Sequence, residues 1–162
     1  MNQENALLWL FPLVFMVLSL EEMIWSGRNS DKLKARLPGR MQFLLPVVDG
    51  TQGRVTALLK LVILTFFTFL ATTENIYFFF LSVNTVFVFY CLLHLVRSAW
   101  AGGYTPGLAS AALLGLPYSF HLFHYLTAEH LVTWKQIYSS IPAGFLLLPV
   151  MLIGRLFEQA EA

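Results

Sequence analysis

Charge is scarce in this chain. Asp, Glu, Lys and Arg make up 12% of 162 residues, and ten cations against nine anions leave a net charge of +1. Without an excess of either sign the chain lacks the field that draws a protein to a polyanion, so nucleic acid is excluded as a partner. Cysteine is scarcer still. Cys91 stands alone in an apolar block, so neither a disulfide framework nor a cysteine metal site can form within one chain. The opening stretch, MNQENALLWLF, holds no Lys or Arg, and no small-residue cleavage pattern follows it. It therefore reads as the start of the first membrane helix and not as a removed signal peptide. No internal repeat and no low-complexity tract is present.

Apolar residues are abundant. They reach 57%, with fifteen phenylalanines, more than a soluble core of this size could bury. They also come in blocks close to the roughly 20 residues that a helix needs to cross a bilayer. The expected fold is all-α, a polytopic transmembrane helical bundle of about five spans, forming one integral membrane domain over residues 1–162. The spans are expected near Ala6–Trp25, Val55–Leu70, Ile76–Val96, Leu108–Leu126 and Trp134–Phe157. ATTEN, RSAWAGGYTPG and TAEHLVTWK supply the tighter turns. Between the first two spans, residues 26–54 read as a basic cytoplasmic loop, in which MQFLLPVVDG is too short to span and lies at the interface.

Cation placement sets the orientation. Arg28, Lys32, Lys34, Arg36, Arg40 and Arg54 all fall in that first loop, and alternation then puts Arg97 and Arg155 on the same side. The positive-inside rule gives a multi-pass protein of the cell membrane with its N-terminus outside and its C-terminus cytoplasmic.

Against this background one stretch stands out. The run WLFPLVFMVLSLEEMIW carries Glu21 and Glu22 just inside a membrane boundary, between Leu20 and Met23. Ionisable groups at such depth cost about 2.5–3.5 kcal/mol each on insertion scales and usually face protein. Depth matching adds further groups. Lys60 lies near the cytoplasmic start of the second span, His94 one turn above the cytoplasmic end of the third, and Tyr104 at the opening of the fourth. Tyr90, His94 and Arg97, at i, i+4 and i+7, share one helix face. For Lys60 the plainer reading, counter-ion to the glutamates or snorkelling cation, outweighs catalysis. For the glutamates function is favoured, because one counter-ion does not account for two carboxylates. His121 and His124 have metal-pair spacing but lie far up the fourth span, and read as interfacial polar residues.

The first-helix run, the later His94 and the tetrapeptide Tyr104-Thr105-Pro106-Gly107 together resemble the HXXEE-domain proteins, small bacterial membrane proteins of uncharacterised function. The resemblance covers about Leu7 to Tyr118 in matching order, with one departure: the motif histidine falls at position 18, where this chain has Leu18. The resemblance implies a site of Glu21, Glu22 and His94, supported by Lys60, Tyr90, Arg97, Tyr104, Pro106 and Gly107. In the family pattern two histidines and two carboxylates would suit a divalent transition metal such as Zn or Fe, or a proton transfer. Leu18 removes one nitrogen ligand and weakens the metal reading.

Three functions compete. A membrane enzyme, metal-assisted or acid–base, would use Glu21 or Glu22 with His94 on an apolar or lipid-like small molecule at the cytoplasmic interface. A non-catalytic binding or assembly protein would keep the same contacts for packing. A small proton-coupled transporter ranks below both, because neither a midplane site nor inverted repeats are visible. The sequence identifies neither a substrate nor an oligomeric state.

Overall fold

The computed structural model describes residues 3–36 and 50–146. Among them there is helix and turn and no strand. Helix α1 is Gln3–Arg36, α2 is Gly50–Thr73 and α3 is Tyr77–Ala101. Each contains a stretch long and apolar enough to cross a membrane: Glu4–Ile24, Arg54–Thr73 and Tyr77–Ala101. The fourth helical stretch is built of three consecutive pieces: α4 (Leu108–Ser110), a π-helical turn (Ala111–Gly115) and α5 (Leu116–Ala128). A last helix, α6, covers 134–146 of the described residues.

Local chemistry explains where these elements begin and end. In an apolar setting a hydroxyl must find its own acceptor, and Thr65, Thr68, Thr72 and Thr73 on α2 each donate to a carbonyl one turn back. Helix α3 stops at Gly102, whose φ of +61° is a left-handed conformation, and Gly103 N–H reaches back to the Ser98 carbonyl at 3.3 Å. That is the bond pattern of a glycine-terminated helix. The π turn precedes Pro117, which has no N–H to give Leu113 and whose ring would crowd that carbonyl in a regular helix. A wider turn relieves the mismatch.

Burial makes α3 the axis of the bundle: 56% of its span is buried, against 17% for α2. Helix α1 buries a stripe of Leu8, Phe11, Phe15, Leu18 and Glu22, spaced alternately by three and four residues, of which Phe11, Phe15 and Glu22 meet α3. The two helices run parallel. Tyr77 donates to Glu4 at one end, and Tyr90 and His94 meet Glu22 at the other. Between these ends Phe11 meets Phe80 at 5.4 Å and Phe87 at 5.3 Å, both edge to face, and stacks on Tyr118 of α5 at 6.2 Å. Small residues bring α6 close to α3: a Cβ on Gly144 would stand 2.6 Å from the Ser82 carbonyl oxygen, and Ser140 lies 3.4 Å from Thr85. Leu58, Val62 and Phe66 on α2 point outward, as residues of a lipid-facing surface do.

Two expectations change. Helix α1 does not stop at Trp25 but continues to Arg36, because SDKLKAR is made largely of helix-forming residues and leaving the apolar zone does not end a helix. Helices α2 and α3 also run three to five residues past their expected ends at Leu70 and Val96. The interfacial segment expected within 41–50 falls almost wholly, and the end of the fifth span wholly, outside the described residues.

Candidate functional site

Adjacent residues on a helix point about 100° apart, so Glu21 and Glu22 cannot face one target. Glu22 completes the buried stripe of α1 and is 6% exposed. Its Oε1 accepts a hydrogen bond from the Tyr90 hydroxyl at 2.6 Å and lies 3.1 Å from Nε2 of His94. His94 is fully buried, and the Tyr90 ring packs edge-on against it with centroids 4.7 Å apart.

The histidine's other nitrogen fixes the hydrogen count. Nδ1 lies 2.9 Å from the Pro106 carbonyl oxygen, which can only accept, so Nδ1 carries a hydrogen. A neutral ring would then present a bare lone pair at Nε2 to the acceptor oxygen of Glu22. Two acceptors at 3.1 Å repel, so a proton belongs between them, giving either imidazolium with carboxylate or imidazole with carboxylic acid. The approach is bent, outside the angular range of a hydrogen bond at Nε2. The contact is therefore not a linear hydrogen bond.

Glu21 turns the other way, onto the start of the fourth helical stretch. A helix opens with N–H groups that have no partner of their own, and Gly107 at this opening supplies no side chain to meet them. Glu21 supplies the acceptor from a neighbouring helix. Its carboxylate accepts from Gly107 N–H at 3.2 Å, Ala109 N–H at 3.3 Å and Ser110 N–H at 2.7 Å, and from the hydroxyls of Ser110 and Tyr104. A negative charge at a helix N-terminus also meets the positive end of the helix dipole. Tyr104, in the loop before α4, has its hydroxyl pushed up to about 12 by partial burial and then by its bond to Glu21.

The tetrapeptide now has a physical explanation. Tyr104 holds Glu21, Pro106 offers the carbonyl that orients His94, and Gly107 lets the loop close over the pair. Gly107 has φ +84°, and a Cβ there would lie 2.6 Å from His94 Cε1, 2.8 Å from His94 Nδ1 and 3.2 Å from Glu22 Cγ. No other residue type fits that backbone at that distance.

The remaining sequence candidates surround this centre. Lys60 places Nζ 5.9 Å from the centre of the Tyr90 ring, at the outer reach of a cation–π contact. Arg97 is buried one turn beyond His94. Leu18 is fully buried one turn before Glu22, part of the apolar core. His121 lies apart, in an apolar groove of about 390 Å³ walled by Leu7, Leu10, Leu13 and Tyr125. Sequence reasoning missed Ser110 and the backbone N–H groups of Gly107, Ala109 and Ser110. A helix starting at membrane depth without its own capping side chain was the signal that could have found them.

The donors present do not fit a metal. Among the described residues no group of three or more His, Cys, Asp or Glu could hold an ion. The reason is geometric: Glu21 faces five donors, and Leu18 fills the place of a further ligand.

A family model described as a protein of unknown function with HXXEE motif matches residues 9–122. The chain belongs to the HXXEE family. No curated protein and no solved structure matches it. Within the matched span the chain's one adjacent glutamate pair is Glu21-Glu22, and Leu18 stands three residues before it. The chain thus belongs to a family of unknown function and carries three helices long and apolar enough to cross a membrane.

Proposed function

We propose that this HXXEE protein is a membrane-embedded acid–base centre in which Glu22 and His94 share a proton, acting at the cytoplasmic end of the bundle on an apolar, membrane-dissolved molecule. The observation that carries the reading is the placement of His94 between two acceptors, Pro106 O at 2.9 Å and Glu22 Oε1 at 3.1 Å. A buried carboxylate–imidazole pair can take up or release a proton without moving a side chain, which is what general acid–base catalysis asks of its groups. Tyr90 fixes the carboxylate, and the ammonium of Lys60 beside Tyr90 adds positive potential near it. In this reading Glu21 is a structural clamp and not a base. The cation distribution supports an orientation with the pair towards the cytoplasm, the N-terminus outside and five spans.

The test is incorporation of solvent deuterium. Purified protein in bilayers made from a total membrane lipid extract is incubated in D2O, and the apolar molecules are analysed by mass spectrometry. The wild type is expected to deuterate or consume one component, and Glu22→Gln and His94→Gln to leave it unchanged. Identical extracts from all three would refute the enzyme reading.

A second reading has its own support. Glu21 is held by five donors and Gly107 closes against His94, which suits a clamp that merely fastens the loop to α1. It is favoured if the variants lose thermal stability while the extracts stay the same. Reporter fusions after residues 74 and 102, reading outside and inside, test the orientation.

A further inference from the structure

Well away from the glutamates, the bundle interior holds polar atoms that the fold does not satisfy. Asn84 and Ser119 are both fully buried, and Asn84 Oδ1, Asn84 Nδ2 and Ser119 Oγ have no hydrogen-bond partner among the described residues. They belong to facing surfaces. Gly115 sits against Cys91 and Phe87, since a Cβ there would lie 2.6 Å from Cys91 Sγ and 3.3 Å from the Phe87 ring. Ser119 is one turn further along its helix than Gly115, and Asn84 one turn back from Phe87 along the antiparallel α3, so the two share a level and a face. Phe11 closes that level from α1, through its contacts with Phe80, Phe87 and Tyr118.

Buried polar residues cluster on this part of α3. Ser82, Asn84 and Thr85 fall within four residues of α3, all buried. Ser82 is satisfied by the Phe78 carbonyl, and Thr85 faces Ser140 on α6. Of these three, Asn84 is the one without a hydrogen-bond partner among the described residues. An amide and a hydroxyl left unpaired in an apolar interior are costly, and such groups in folded proteins are nearly always met by protein or by ordered water.

The geometry points to an internal site between α1, α3 and α5 in which Asn84 and Ser119 bind a small, uncharged hydrogen-bonding molecule, water in the resting protein. The amide offers a donor and an acceptor and the hydroxyl offers both, which meets the two to four partners a buried water needs. Cys91, Phe87, Phe11 and Leu122 around it carry no charge, so the site has nothing to hold an ion. It lies about ten residues along α3 from His94, roughly 15 Å, and stands independently of the acid–base reading.

Hydroxyl-radical footprinting of the protein in bilayers tests it, because radicals formed from a bound water mark side chains that bulk solvent never reaches. Phe11, only 1% exposed, is expected to be labelled several-fold faster than Phe15, one turn away. The double variant Asn84→Leu/Ser119→Ala is expected to lose that excess, and the milder Ser119→Ala to lower the thermal midpoint by a few degrees by removing one partner of the guest. Equal labelling of Phe11 and Phe15 in the wild type would overturn the proposal. So would a raised midpoint in Ser119→Ala, the result expected where a dry, unpaired hydroxyl has been removed.

Discussion

Gly107→Ala is the sharpest probe of the site, because an internal control exists. Both Gly102 and Gly107 have positive φ, +61° and +84°, so alanine at either carries the left-handed penalty of about 1–2 kcal/mol. Only Gly107 has neighbours. A Cβ at 102 meets nothing within 4 Å, whereas one at 107 lies 2.6 Å from His94 Cε1 and 2.8 Å from Nδ1. Neither can yield cheaply, since the ring is held by Pro106 O on one side and Glu22 on the other. Overpacking of this kind costs about 1–3 kcal/mol beyond backbone strain. Gly107→Ala should therefore fall below Gly102→Ala by about 2–12 °C in thermal midpoint, taking about 2–4 °C per kcal/mol for a chain of this size. Tryptophan fluorescence in mild detergent reads the transition. Combining Gly107→Ala with His94→Ala should cost less than the sum, because the second change removes the ring that the first collides with. Equal midpoints for the two glycine variants would refute the close approach of the loop to the histidine.

Other perturbations follow from the same geometry. Glu21→Gln leaves five donors facing a neutral amide, and loss of charge-assisted bonds should lower stability by about 2–3 kcal/mol in denaturant titration. Because the Tyr104 hydroxyl titrates near 12 in the folded chain against 10 unfolded, its stabilising bond is complete below pH 10 and fades as pH rises from 10 to 12. The stability gap between wild type and Tyr104→Phe should narrow over that interval. Gly144→Ala drives a Cβ to 2.6 Å from the Ser82 carbonyl oxygen, so it should separate α6 from α3 and cost about 1–3 kcal/mol, read from its thermal midpoint.

How much of this was legible in the sequence varies from residue to residue. The apolar runs and the scarcity of charge announce the helices, since a bilayer admits little else. The stripe Leu8, Phe11, Phe15, Leu18, Glu22 has helical spacing, yet by sequence both glutamates remain candidates, and it is burial that singles out Glu22. Depth matching likewise brings Glu22, Tyr90, His94 and Lys60 to one level. The role of Glu21 was not legible. Its partners are mostly the backbone N–H groups of Gly107, Ala109 and Ser110, and those carry no side-chain signature. The π turn before Pro117 and the continuation of α1 to Arg36 were also hidden, because hydropathy marks where a membrane ends and not where hydrogen bonding does.

The central claim is that a proton lies between His94 and Glu22. Solid-state NMR of protein labelled with ¹⁵N in histidine and ¹³C in glutamate, in bilayers at neutral pH, reads it in one experiment, with His94→Gln and Glu22→Gln giving the assignments. The account predicts that Nδ1 of His94 is protonated, and that either its Nε2 is protonated as well or Glu22 gives the signal of a carboxylic acid. A His94 ring protonated at Nδ1 alone, beside an ionised Glu22, would contradict it.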